Sequence, residues 1–333
     1  MTSQRATPVQ LSDLIGTSGT DLSDDGAPIR VAYLGGIGRS GSTLVSRTLD
    51  RAPGVIAAGE LTNLWHQSVL RDTPCGCGVP FSQCPYWQQV GELAFGGWAN
   101  IDAAAIARLR TQVEFLKQFP LLLRPTLRPA FADKVEVYRT INRRLFAAML
   151  RVADAQVLVD NSKHPSRALL LAGSPGVDVR VIHLVRASHG VSYSWAKRQT
   201  RADSQQQMLR MPVWRSAIRG EAFNEGFELL RRRGVPTVTV KYEDFVASPR
   251  DVTEKILRFL DVDPGAHGLS FIDGETVDLG KDHSVWGNPS RMQSGPTRVR
   301  ADERWREDMS SRDRKLVNLL TWRGRRRYGY PAG

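Results

Sequence analysis

The stretch Val31-Ala-Tyr-Leu-Gly-Gly-Ile-Gly-Arg-Ser-Gly-Ser-Thr-Leu44 constrains this chain more than any other. Its apolar start reads as a buried strand, its glycines as a tight turn, and its hydroxyl residues as the opening of a helix. Strand, Gly-rich turn and helix in that order build a loop that cradles a phosphate on backbone N–H groups and a helix N-terminus. The spacing comes close to G-x-x-x-x-G-K-[ST]: Gly36, four residues, Gly41, then Ser42 where the lysine belongs, then Thr43. In the triphosphate loop that lysine reaches the β- and γ-phosphates and the hydroxyl holds Mg²⁺. A chain that keeps the cradle and lacks the lysine is poorly equipped for γ-phosphoryl chemistry. Arg39 sits inside the loop, where its planar fork suits a single phosphate or sulfate without a metal.

Four short apolar runs set the fold class. Residues 30–34, 155–160, 179–185 and 236–241 read as strands, and helical patterns follow them at 42–51, 166–171, 189–201 and 250–260. That alternation predicts an α/β fold, a P-loop-like three-layer arrangement with a central parallel sheet and right-handed crossovers. In such sheets ligands bind outside the C-terminal strand edges, so the polar residues ending these strands are expected to share one cleft.

The intervals between the strands carry the rest of the organisation. Residues 61–149, with helical stretches at 103–119 and 136–151 broken by prolines at 120–129, read as an inserted helical cap able to cover an acceptor pocket. Residues 261–300 are rich in Gly, Asp, Ser, Asn and Pro and read as a long ordered loop of the functional kind. A helix over 302–323 and a basic run at 323–327 follow. At 333 residues and 41% hydrophobic content, residues 29–330 can form a single domain with one sizeable core. Residues 1–28 have neither a basic n-region nor an apolar h-region and read as a flexible leader. No run approaches the ~20 apolar residues of a membrane span, so the expectation is a cytoplasmic protein without a membrane partner.

A net charge of +12 favours anionic ligands. The positive residues are scattered, however, without the interleaved lysines and aromatics of a nucleic-acid surface, so no nucleic-acid partner is expected. The cysteines cluster as Cys75, Cys77 and Cys84, and an odd count leaves a free thiol, which fits a reducing compartment. No second Cys/His pair follows at the usual spacing, although His66 is close enough to serve as a fourth ligand. The simplest reading is three small buried side chains pinning a turn, with a disulfide and a metal site as alternatives.

With these residues in place, Gly36-Ile-Gly-Arg-Ser-Gly-Ser-Thr43 resembles the 5′-phosphosulfate loop of sulfotransferases that use 3′-phosphoadenosine 5′-phosphosulfate, PAPS. Arg186-Ala-Ser-His-Gly-Val-Ser-Tyr-Ser194 resembles that family's 3′-phosphate motif, an arginine at a strand tip with a serine eight residues later on the next helix. Tyr242-Glu-Asp-Phe245 and Gly287-Asn-Pro-Ser-Arg291 also look like bacterial members, so the likeness runs through nearly the whole chain. The resemblance implies that Gly38, Arg39, Ser40, Gly41, Ser42 and Thr43 surround the 5′-phosphosulfate. It implies that Arg186 and Ser194 hold the 3′-phosphate, helped by Asn288 and Arg291, with Tyr242 near adenine.

Transfer of a sulfuryl group to a small-molecule hydroxyl needs an aligned acceptor, a base, and positive charge on the departing oxygen. Arg39 and Lys163 supply the charge, each worth on the order of 3 kcal/mol by analogy with oxyanion donors. For the base, Glu60 resembles the catalytic carboxylate of the tyrosylprotein branch, and His164 stands twenty-two residues before Arg186, similar to the base histidine of the cytosolic branch. His283 is a third candidate. PAPS is the expected co-substrate, no metal is expected, and the acceptor stays open, with Trp65, Trp87, Phe115, Phe119 and Tyr138 as candidate pocket residues. The rival readings are a P-loop nucleotide kinase or NTPase, which would need Mg²⁺ and ATP, and a nucleic-acid-binding module.

Overall fold

The computed structural model describes residues 10–15, 26–124, 126–197, 207 and 209–332. Its centre is a five-stranded parallel sheet in the order β2-β3-β1-β4-β5, formed by Ile29–Gly35 (β1), Val55–Gly59 (β2), Val157–Lys163 (β3), Val177–Val185 (β4) and Thr237–Lys241 (β5). The order places β1 between β3 and β4, the point at which the chain turns from one half of the sheet to the other. Four of these strands match the apolar runs of the sequence. The fifth, β2, is an addition, and its C-terminal end delivers Glu60.

Both faces of the sheet are buried, as parallel strands require. Val31 and Tyr33 point into one apolar cluster with Leu158, Val181 and the cap, whereas Ala32 and Leu34 point into another with Val45, Val159, Ile182 and Phe245. The alternation along β1 is the period-two pleat of a strand read by two different neighbours.

Helix α1 (Ser42–Asp50) follows β1 directly. The cap holds a π-helix at Leu64–Val69, then α2 (Pro85–Phe95), α3 (Ala103–Val113), the short α4 (Phe119–Leu122) and the long α5 (Pro129–Ala153). Proline opens both α2 and α5 in the first turn, where its missing N–H costs nothing. Beyond β3 come α6 (Pro165–Ala172), α7 (Ser188–Ala196), α8 (Val213–Arg232), α9 (Tyr242–Ala247) and α10 (Pro249–Phe259). The part of the expected 189–201 helix beyond Lys197 lies outside the described residues.

Three expectations need correction. The late loop is not all loop: Ile272–Asp273 (β6), Thr276–Leu279 (β7) and Gly295–Arg298 (β8) pair as a small antiparallel sheet within it. The single helix expected over 302–323 is three helices, α11 (Trp305–Asp308), α12 (Ser311–Leu320) and α13 (Trp322–Tyr328), with Ser310 capping α12 through its side chain. In the leader, Leu14 and Ile15 are buried in the cap, where Ile15 bridges Ile101 and the Asp102 N–H donates to Leu14 O at 3.0 Å. The rest of the expected leader, residues 1–9 and 16–25, lies outside the described residues. Among the described residues no helix is long and apolar enough to cross a membrane.

A buried charge centre ties the cap to the end of β3. Arg167 on α6 donates from Nε to Asp160 Oδ2 at 2.8 Å, from Nη1 to Glu114 Oε2 at 2.6 Å and from Nη2 to Asn142 Oδ1 at 3.0 Å. Tyr138 donates to the same Glu114 at 2.7 Å, and Thr62 donates to its other oxygen. Burial pushes the Glu114 carboxyl up, but Arg167, Arg110 and the two hydroxyl donors outweigh it and hold the group below its usual range. Removing the guanidinium leaves Asp160 buried without its ion-pair partner and Glu114 with Arg110 alone. Arg167→Ala should therefore lower unfolding free energy by about 3–5 kcal/mol, read as a lower urea midpoint.

Candidate active site

The loop after β1 is shaped by backbone that only special residues accept. Gly41, the N-cap of α1, has φ 92°, and a Cβ built on it would stand 2.2 Å from the Tyr242 ring. A side chain here would lose both the turn and the close approach. Arg39 also lies in the left-handed region, at φ 74°, as does Lys163 at the end of β3, at φ 72°. Non-glycine residues held there cost of order 1–3 kcal/mol each and mark sites where geometry outranks comfort. The first amides of α1 bonded within the turn are those of Leu44 and Val45, on Gly41 O. The N–H groups of Ser42 and Thr43 are thus the orphan donors of a helix N-terminus, suited to an anion.

Two aromatic residues wall this loop. Trp195 donates from Nε1 to Gly38 O at 2.9 Å and lies under the Arg39 guanidinium at 5.3 Å. Tyr242 packs against Gly41, with Arg186 over its ring at 4.8 Å. Arg186 donates from Nη1 to Arg39 O at 2.9 Å, so the strand-tip arginine of β4 and the Gly-rich loop after β1 form one continuous rim. Ser40 is fully buried in the loop, and its hydroxyl has no hydrogen-bond partner among the described residues. An unpartnered hydroxyl at zero exposure is costly unless a ligand completes it.

A cavity of about 720 Å³ opens beside the loop. Gly38, Arg39, Gly41, Ser42, Thr43 and Tyr242 line one side of it, and Glu60, Lys163 and His164 another. Lys163 Nζ is 2.5 Å from Glu60 Oε1, while Asn63 Nδ2 donates to Glu60 Oε2 at 3.1 Å. Both charged side chains are largely sheltered, at 11% and 19% exposure, and both still face the cavity. Glu60 is fixed from behind by the late loop, because its N–H donates to Val285 O at 3.0 Å and Gly59 forms a parallel bridge with Val285.

His164 differs from Glu60 in charge as well as place. Burial first, and Arg219 second, lower its pKa to about 4, so at neutral pH it is an uncharged imidazole beside Phe223. Its carbonyl accepts from Tyr33 at 2.8 Å, which fixes the turn from β3 into α6. His283 is not in the cleft. Its Nδ1 stands 3.3 Å from Cys84 Sγ and 3.6 Å from Cys75 Sγ, on the far side of the late loop.

The other expected residues divide. Asn288 lines the cavity, though its side chain accepts from the Ser290 N–H at 3.0 Å as a local cap. Arg291 was expected at a phosphate, yet it is buried and donates to Ser284 O at 3.0 Å and Pro74 O at 2.7 Å, so it braces the loop from beneath. Ser194 lies two turns into α7, half-buried and outside the large cavity. Arg186 is likewise not part of the cavity wall and borders a smaller pocket of about 230 Å³ with Ser188, Lys241 and Asp302. Of the candidate acceptor residues, Phe115 faces the cavity, while Trp65, Trp87 and Tyr138 are fully buried core. Sequence reasoning missed Arg110, Arg219, Phe223 and Trp286, which line the cavity from α3, α8 and the late loop.

The buried histidines give the molecule a pH signature. His183, which pairs through Nε2 with Asn224 Oδ1 at 3.1 Å, is also lowered to about 4, by burial above all. Both folded-state values lie below the ~6.5 of an unfolded histidine, so the unfolded chain binds more protons at acid pH. The contribution of these two histidines should be full above about pH 6.5 and fall as pH drops toward about 4, partly offset by Asp50, whose carboxyl burial raises to about 7, so that the Tm declines toward acid pH. His183→Gln should flatten that decline.

No protein-family model and no curated protein matches the chain. Solved structures do. The sulfotransferase domain of the Synechococcus PCC 7002 olefin synthase superposes with a TM-score of 0.53 at 22% identity, covering 93% of this chain and 98% of that one. Sulfotransferase STF1 of Mycobacterium tuberculosis gives 0.43 at 17% identity, covering 74% and 72%, and STF9 of Mycobacterium avium gives 0.40 at 13%, covering 74% and 67%. The chain thus has the α/β fold of the Synechococcus sulfotransferase domain, with its central parallel sheet flanked by helices.

Proposed function

We propose that this protein transfers a sulfuryl group from PAPS to a hydroxyl of a small-molecule acceptor, releasing 3′,5′-ADP. The observation that carries the reading is the contact of Arg186 with the Arg39 carbonyl at 2.9 Å, which joins Arg186 to the loop that lines the cavity with the Glu60–Lys163 pair. An arginine after β4 thus touches the loop after β1, and a carboxylate and an ammonium pair on the cavity wall. The orphan amides of Ser42 and Thr43 at the start of α1, residues that line the cavity, fit a phosphate-type oxygen. The shared fold with a sulfotransferase domain supports the same conclusion.

In this reading the donor brings an activated sulfur whose bond to the bridging oxygen is broken. Ser40, Ser42, Thr43 and the loop amides bind the 5′ end, and Arg186 serves the 3′ end. Glu60 takes the proton from the acceptor hydroxyl as its oxygen bonds to sulfur, and Asn63 and Lys163 hold the carboxylate for that task. Arg39 and Lys163 stabilise the negative charge that collects on the departing oxygen. His164, held neutral with its protonated form disfavoured, is the weaker candidate base and shapes the pocket beside Phe223. Phe115, Phe223 and Trp286 offer apolar and aromatic surface to the acceptor.

The Gly-rich loop without its lysine gives the decisive comparison. The Tm should rise with 3′,5′-ADP, by an increment that grows with concentration, and change little with ADP or with ATP and Mg²⁺. Stabilisation by Mg²⁺-ATP alone would turn the reading toward a nucleotide kinase. In single-turnover sulfation, Glu60→Gln should slow the chemical step by about 10²–10⁴-fold. Arg39→Ala should slow it by about 10²–10³-fold. An unchanged step in Glu60→Gln would remove Glu60 as the base.

A further inference from the structure

Outside the cleft, the cysteine hairpin of the cap meets the late loop. Cys75 and Cys77 sit on a turn closed by the Cys75 N–H on Val79 O at 2.8 Å and the Gly78 N–H on Cys75 O at 2.9 Å, flanked by a Pro74–Pro80 bridge. Cys84 is the N-cap of α2, with the Trp87 N–H turned toward its sulfur. His283 arrives from the late loop, 208 positions beyond Cys75. Its ring stacks on Tyr86 at 4.7 Å, and its carbonyl accepts from Trp87 Nε1 at 2.9 Å.

The three sulfurs and a ring nitrogen of His283 all lie within 4.8 Å of one another. The Cys77 and Cys84 sulfurs are 3.7 Å apart, too far for a disulfide at about 2.0 Å, and all three thiols are free. A tetrahedral zinc with Zn–S of about 2.3 Å and Zn–N of about 2.0 Å has S···S edges of about 3.8 Å and S···N edges of about 3.5 Å. Three of the six edges, the S···S edge of 3.7 Å and the S···N edges of 3.3 and 3.6 Å, fall within about 0.2 Å of these.

We propose that Cys75, Cys77, Cys84 and His283 form a structural site for a thiolate-preferring divalent metal, zinc by its donor set. Four protein ligands close the coordination sphere, which is the mark of a structural site and not of a catalytic one. None of the four lines the large cavity. The metal would join cap to late loop at the residue next to Asp282, which holds Arg47 at 2.6 Å, and two before Val285, which fixes Glu60. The site stands apart from the proposed sulfuryl transfer, and neither depends on the other for its test.

Full-length protein purified under reducing conditions without chelator should contain about one zinc per chain by plasma mass spectrometry. Exchange with Co²⁺ should give the intense visible absorption of a tetrahedral thiolate site. Chelator should lower the Tm, and Zn²⁺, but not Mg²⁺, should restore it. Cys77→Ser should lose the metal. If that variant does not fold, His283→Cys decides, since it should keep the metal while the thiolate-to-cobalt absorption rises from that of three sulfurs to that of four. Folded protein without zinc that takes up no Co²⁺, a Cys77–Cys84 disulfide in the same preparation, or a cobalt spectrum unchanged by His283→Cys would overturn the assignment.

Discussion

The guanidinium of Arg167 is the point on which the site depends. It is buried with two carboxylates, Asp160 from β3 and Glu114 from the turn after α3, and it joins the sheet to the cap. The Asp160 carboxylate in turn accepts from the Ser162 N–H at 3.0 Å and from the Ser162 hydroxyl, which itself accepts from the Thr62 N–H at 3.0 Å. These bonds fix the final turn of β3, and the next residue is Lys163 in its left-handed conformation. An ion pair so deeply buried is weak evidence for stability, because desolvation offsets much of its attraction. Its value here is geometric: one centre sets both the end of β3 and the segment after β2, so Lys163 and Glu60 meet at 2.5 Å.

The cleft shows how little of such a site belongs to any one element. The Gly-rich loop, the tips of β2 and β3, the start of α9 and the late loop each supply a wall. Strained φ values at Arg39 and Lys163 persist because neighbours hold them. Arg186 grips the Arg39 carbonyl, and the Gly36 N–H donates to the Lys163 carbonyl at 3.2 Å. The two strained residues are therefore tied into the same rim.

The legible part of the chain was whatever local pattern controls. Apolar runs of five to seven residues announced β1, β3, β4 and β5, and the Gly-rich turn announced the cradle. Strand β2 escaped because Val55-Ile-Ala-Ala-Gly59 is short and ends in small residues. Helix α8 escaped because small residues, Ser216, Ala217 and Gly226, share its buried face with Phe223 and Phe227 and blur the apolar period. The cysteine cluster hid its fourth member for another reason: His66 was near in sequence, but His283 is near in space, and no spacing rule spans a gap of that size. The resemblance put Arg291 beside a phosphate, and its bonds to the carbonyls of Ser284 and Pro74 show it to be a brace.

The bridge from Gly59 to Val285 has a consequence for how this molecule behaves among its own copies. Strand β2 is the outer strand on its side of the sheet, and an outer strand with open amides and carbonyls invites pairing with another chain. Val285 takes that place, donating to Ala58 O at 2.9 Å and accepting from Glu60. The segment that steadies the carboxylate therefore also seals a sticky border, so a chain that loosens there sheds solubility along with chemistry.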